Sequence, residues 1–197
     1  MSKYSIFYPI CLFVMALLFS SCANWYTAVS SKVTNYPQKP VDNLTILFTE
    51  YPGEIPNWSN ESYNTAIKDK FNNLEFERFR NHLAEVSWDI FFPLATSDPR
   101  RIFEDHKEYS FDDLQKKLNE SEVEFILLIN MKINEPIRTS TRRIFQVYLI
   151  EMDTGEQVWS GYGYHNPGNI IRKNTAKRLL KGIKRDLIAE GLIGPKE

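Results

Sequence analysis

From Phe125 onward an apolar residue recurs at every second position, and this constrains the fold more than any other stretch. Phe125, Leu127, Ile129, Met131 and Ile133 occupy every second position, which is the spacing of one face of a strand. Ile126 and Leu128 make the opposite face apolar at one end, so cover is expected on both sides there. Arg142 to Met152 is a second strand with Phe145, Val147 and Leu149 inward. Asp153-Thr154-Gly155-Glu156 follows as a hairpin turn in which Gly155 supplies a positive φ. Gln157 to Tyr164 is the return strand, and Asn166-Pro167-Gly168 breaks the sheet. A helix from about Asn169 to Ala189 carries the stripe Ala176, Leu179, Leu180, Ile183 and Leu187, and Gly191 stops it.

Upstream, Leu44 to Glu50 is rich in β-branched and aromatic residues and reads as a strand. Pro52-Gly53 turns the chain, and Ser59 and Asn60 are good helix caps. Tyr63, Ile67, Phe71 and Leu74 recur at helical spacing before the stripe shifts to Phe76, Phe79, Leu83 and Val86. That shift implies either a bend near Asn72-Asn73 or a helix covered on two sides. Ser87 to Phe92 reads as a short strand ended by Pro93. Ser110 caps a helix reaching Asn119, with Asp113 at the capping-box position and Tyr109 placed to staple onto Leu114. The class is α+β: helices packed on a largely antiparallel sheet, as a single small domain over 44–197.

The N-terminus has a different logic. Lys3 precedes an apolar run, Tyr4 to Phe19, which ends in Ser20-Ser21-Cys22-Ala23. A basic start, an apolar stretch and small residues at a cut site make a secretory signal, here residues 1–21. The run is shorter than the roughly 20 apolar residues of a full span, and it contains Pro9. Of the two cysteines, Cys11 leaves with the signal. A single cysteine then has no intramolecular disulfide partner, and a thioether-linked lipid accounts for it. Residues 22–43, with Ser30-Ser31, Asn35, Pro37 and Pro40, develop no apolar face and read as a lipidated tether, the folded domain beginning at Leu44.

Leu18-Phe19-Ser20-Ser21-Cys22 resembles the lipobox of bacterial lipoproteins, with Phe19 standing where Leu is usual. The resemblance implies diacylglycerol and palmitate on Cys22, and a cell-envelope location. Ala23 is not the acidic residue that retains some lipoproteins in the inner membrane, so the outer membrane is implied, with the domain in the periplasm or at the surface. The hairpin Leu149 to Gly161, followed by a basic amphipathic helix, resembles small periplasmic α/β lipoprotein domains. Among these are the curli-secretion lipoprotein, the penicillin-binding-protein activator lipoproteins and the N-terminal domain of the Tol-Pal translocation protein. This likeness implies a fold and a role in envelope assembly or partner binding, and it assigns no functional residue.

Composition excludes more than it proposes. Charge is balanced, with 24 basic and 25 acidic residues, so nothing points to nucleic acid. No G-x-S-x-G elbow, H-E-x-x-H helix or glycine-rich phosphate loop is present. The histidines are His82, His106 and His165. Glu104-Asp105-His106-Lys107-Glu108 offers carboxylates beside an imidazole, but its neighbours Arg100 and Arg101 fit a solvated charged loop better. Gly161-Tyr162-Gly163-Tyr164 has the pattern of a ligand-stacking strand, yet glycines in strands more often mark close packing by a helix or a bulge. Lys173, Lys177, Lys181 and Lys184 form a basic stripe on the last helix, expected to be a solvated face pointing away from the apolar one. The expected function is therefore a non-catalytic envelope lipoprotein, held to the membrane by Cys22 and binding a protein or cell-wall partner, with no catalytic residue, metal or cofactor. The competing expectation is a periplasmic hydrolase whose carboxylates converge from residues 87–110.

Overall fold

The computed structural model describes residues 30–37, 40–55, 57–68, 74–91, 94, 109–133, 143–165 and 172–194. Among the described residues, five strands form one sheet in the order β1-β5-β4-β3-β2. They are β1 (Ser30–Val33), β2 (Leu44–Thr49), β3 (Phe125–Ile133), β4 (Arg143–Glu151) and β5 (Gln157–His165). β2 runs parallel to β3, and the other neighbours are antiparallel. The helices are α1 (Asn60–Ser62, continuing as a π-helical turn Tyr63–Ile67), α2 (Leu74–Phe91), α3 (Phe111–Glu120) and α4 (Lys173–Ala189). The α+β class with a mostly antiparallel sheet is as the sequence indicates.

Alternation along the strands decides the layers. Ile46, Phe48, Leu127, Ile129, Phe145, Val147 and Trp159 face one way and are fully buried under α2 and α4. α4 presents the expected stripe, Ala176, Leu179, Leu180, Ile183 and Leu187. Leu47, Ile126, Leu128 and Ile150 face the other way, under Ile55, Trp58, Tyr63, Ile67, Leu114 and Leu118. Both faces of β2, β3 and the distal half of β4 are thus covered, as Ile126 and Leu128 imply. The second cover does not extend to all of the β4-β5 ladder, where Tyr162 is 40% exposed.

Local chemistry sets the boundaries. Gly155 has φ +68°, and its amide donates to the Glu151 carbonyl at 2.9 Å, closing the β4-β5 turn. The Gly155 carbonyl accepts from the Trp58 amide at 2.9 Å, which folds the segment after β2 back along the sheet. The Ser110 hydroxyl accepts from the Asp113 amide at 3.1 Å and caps α3, and Tyr109 packs against the cluster that holds Leu114. Gly191, at φ +73°, ends α4, with the Leu192 amide donating to the Leu187 carbonyl at 3.0 Å.

Two expectations fail. Residues 87–91 are not a strand but the last turn of α2. Val86 and Ile90 continue the buried stripe of Phe79 and Leu83, and the Ser87 hydroxyl donates back to the Ala84 carbonyl at 2.9 Å. Helical packing here outweighs the β-propensity of Trp, Ile and Phe. The segment 22–43 also is not wholly tether. Ser30–Val33 pairs with β5 in register, Ser30 opposite Tyr162 and Val33 opposite Trp159, so the sheet begins fourteen residues before Leu44. The expected bend at Asn72-Asn73 lies outside the described residues.

Candidate functional site

Among the described residues, polar chemistry gathers at several places. The first is a network that fastens the segment after β2 to the sheet. Asn130 on β3 is fully buried. Its Oδ1 accepts from the Tyr51 amide at 2.9 Å, and its Nδ2 donates to the carbonyls of Tyr51 and Gly53 at 3.1 and 3.3 Å. The Tyr148 hydroxyl donates to Gln146 Oε1 at 2.9 Å beside it. Burial pushes the Tyr148 hydroxyl above its ordinary value, a hydrogen bond with the Ile55 backbone opposes the shift, and the charge of Glu54 adds to it. Sequence reading missed this network; the polar Asn130 interrupting the apolar run Phe125–Met131 was the available signal.

The second place is the join between α2 and α4. Lys173 Nζ lies 2.9 Å from Glu85 Oε2, and His82 Nδ1 lies 3.5 Å from the same oxygen. The Lys173 ammonium holds the Glu85 carboxyl below its usual range, with burial opposing and His82 adding to the effect. Lys184 Nζ donates to the Ile90 carbonyl at 2.6 Å, at the C-terminal end of α2, where a cation meets the negative end of the helix dipole. This corrects the expected uniform basic stripe: Lys177 and Lys181 are exposed, while Lys173 and Lys184 bind α2.

The third place is the sheet end where β3 begins and β4 turns into β5. Asp42, Asn43, Asn119, Glu122, Glu124 and Asp153 line an open concavity of about 560 Å³. Asn43 donates to the Glu122 carbonyl, beside the one non-glycine residue at positive φ among those described, Glu122 at +54°. A smaller concavity of about 270 Å³ lies over Tyr51, Glu54, Asn57 and Ser62. Among the described residues, no group of three or more histidine, cysteine or acidic side chains is arranged to hold a metal ion.

The fourth is the glycine-tyrosine strand. Trp159 is fully buried in the helix-side core, and a Cβ on Gly161 would lie 2.7 Å from its indole Cη2. The glycine therefore accommodates the indole two residues back on the same face, rather than an approaching helix. Tyr162 points to the open face.

Cys22, His106 and the segment Glu104–Glu108 lie outside the described residues, as does most of 87–110, so the expected carboxylate site falls there too. His82 sits half-buried on α2, and His165 is the last residue of β5. No helix of the described residues is long and apolar enough to cross a membrane.

No protein-family model matches the chain, and no curated protein matches it. Among solved structures, it is similar to a singly substituted PelC dodecamer from Paraburkholderia phytofirmans in space group C2, at 10% identity and a TM-score of 0.34, over 78% of this chain and 96% of that one. The PelC dodecamer from the same organism in space group P6 is similar at 10% identity and a TM-score of 0.33, with the same coverage.

Proposed function

We propose that this chain is an exported lipoprotein of the cell envelope, anchored through Cys22, whose domain binds a protein or cell-wall partner and does not turn over a substrate. The observation that carries the reading is the end of the apolar run, Phe19-Ser20-Ser21-Cys22, where two small residues precede the one cysteine outside that run. The polar groups of the domain agree with a binding role. Asn130, Lys173 and Lys184 are engaged in holding segments together. The concavity at the start of β3 and the one over Tyr51 are both open to solvent. The half-open sheet face with Tyr162 offers an aromatic group of the kind enriched at protein interfaces. The outer membrane is the favoured location, because Ala23 follows the cysteine.

Cys22→Ala tests the anchor. The variant is expected to be released from membranes or to accumulate at precursor mass, while the parent protein takes up a labelled fatty acid. A parent protein that takes up no label and keeps its precursor mass sinks the proposal.

A further inference from the structure

The concavity over Tyr51 is built on an unusual piece of backbone. One of its walls is the π-helical turn Tyr63–Ile67, where the Lys68 amide donates five residues back to the Tyr63 carbonyl at 2.8 Å. Such turns are rare and occur frequently at functional sites. Here the turn carries Thr65 and Ala66 into the lining. The walls are pinned from behind. The Thr49 hydroxyl donates to the Ala66 carbonyl, and the Tyr63 hydroxyl to the Tyr109 carbonyl at 3.1 Å. Asn130 holds the backbone of Tyr51 and Gly53, and Asn57 forms a β-bridge with Glu156. Walls fixed by the scaffold cost a ligand little ordering when it binds.

Hydrogen-bond accounting then gives the polarity of what fits. The Ser59 and Ser62 hydroxyls both donate to Asn57 Oδ1, at 3.1 and 3.0 Å, and Ser59 Oγ also accepts from the Ser62 amide. With their protons committed, these oxygens can meet a ligand only as acceptors. Glu54 and Glu61, both exposed, add two carboxylates, and no described lysine or arginine lines the concavity. The remaining side-chain donors there, Asn57 Nδ2 and the hydroxyls of Thr65 and Tyr51, are uncharged. Ile55 and Ala66 give the lining an apolar part. We infer that this concavity binds a primary ammonium group on an aliphatic stem, the chemistry of a lysine side chain or a free diamine. An ammonium offers three donors and no acceptor, its stem packs on apolar surface, and the Tyr51 ring can face its charge. The inference goes beyond the envelope reading and holds whether or not Cys22 carries a lipid. Charge alone would send a cation to the larger concavity, with Asp42, Glu122, Glu124 and Asp153, so selectivity for the smaller one is the discriminating property.

The test titrates the full processed chain, isotope-labelled and held in detergent micelles, with N-acetyl-lysine methylamide and with cadaverine, and follows backbone amide shifts by NMR. The amides of Glu61, Ser62 and Thr65 are expected to shift and saturate with a Kd of about 1 mM. N-acetyl-norleucine methylamide, which keeps the stem and lacks the ammonium, is expected to bind about tenfold more weakly. Glu54→Gln/Glu61→Gln is expected to weaken the lysine amide by about tenfold while leaving the rest of the spectrum in place, since both side chains are exposed. Saturation by both ligands upholds the site, and the tighter of the two names the source, a polypeptide side chain or a free diamine. No saturable shift below about 20 mM overturns the inference. So does equal binding of the norleucine amide, or binding that the double variant leaves unchanged. Shifts at Glu122 and Asp153 as large as those at Glu61 and Thr65 overturn it too, because they reduce the effect to general attraction of a cation by acidic surface.

Discussion

The two faces of the sheet are built from the same strands and differ in how they are closed. On one face, α2 and α4 lay apolar stripes over Phe48, Ile129, Phe145, Val147 and Trp159, and burial is continuous. On the other, a short helix, a π-helical turn and the segment around Ile55 and Trp58 cover only part of the surface. There the inward residues change from Leu128 to Asn130 on β3, and from Ile150 through Tyr148 to Gln146 on β4. Asn130 is as buried as Leu128, its amide satisfied by the Tyr51 and Gly53 backbone, while Gln146 is half-buried and Tyr162 on β5 is exposed. The first face is a packed interior held by burial. The second is fastened by a few hydrogen bonds and grades into an accessible surface.

This contrast makes unequal mutational costs, and the largest lies between the faces. Phe145→Ala removes a fully buried ring whose centroid is 5.7 Å from that of Phe79, and is expected to cost about 3–5 kcal/mol. Tyr162→Ala on the open face of the adjacent strand should stay within about 0.5 kcal/mol. Comparable losses in urea unfolding would mean that the second face is covered after all. Next in size is the clamp. Asn130→Ala leaves the Tyr51 amide and two carbonyls without their partner and should cost about 2 kcal/mol. Faster hydrogen exchange at the Tyr51 amide, with the α4 amides unchanged, would localise that loss to the second face; uniform change across both would contradict the division. The smallest effect separates lysines along α4. Lys184→Ala breaks the bond to the Ile90 carbonyl and should lower stability by about 1 kcal/mol. Lys181→Ala, on the exposed side, should leave the thermal midpoint in place. Equal shifts for the two would restore the uniform solvated stripe.

The parts of the fold legible in the sequence are those whose signals are local. The alternation of Phe125–Ile133, the Asp153-Thr154-Gly155 turn, the Ser110 cap and the stripe of α4 each declare themselves within a dozen residues. The failures involve partners distant in the chain. Ser30–Val33 has no alternation of its own, and its pairing is supplied by Trp159 to Tyr162. Trp88 to Phe91 has strand-like composition, and only the phase shared with Phe79 and Leu83 assigns it to α2. Lys184 reads as a surface charge until the Ile90 carbonyl arrives from another helix. The Asn130 network is hidden for the same reason, since its acceptors on Tyr51 and Gly53 are backbone atoms with no compositional trace.

Strand order along the sheet bears on when this domain can exist. Both margins, β1 and β2, come from the first fifty residues, whereas their partners β5 and β3 lie beyond residue 124. A chain delivered N-terminus first thus presents the outer strands long before the inner ones. β3, β4 and β5 are contiguous and can zip together by short-range contacts, but the margins must wait for them. Until β5 is made, β1 is an unpaired segment near the start of the chain, and the apolar β2 is exposed to whatever else is nearby. By topology the sheet closes only after β5 has emerged, and shielding the first hundred residues until then would act on the step where β2 is most exposed to aggregation.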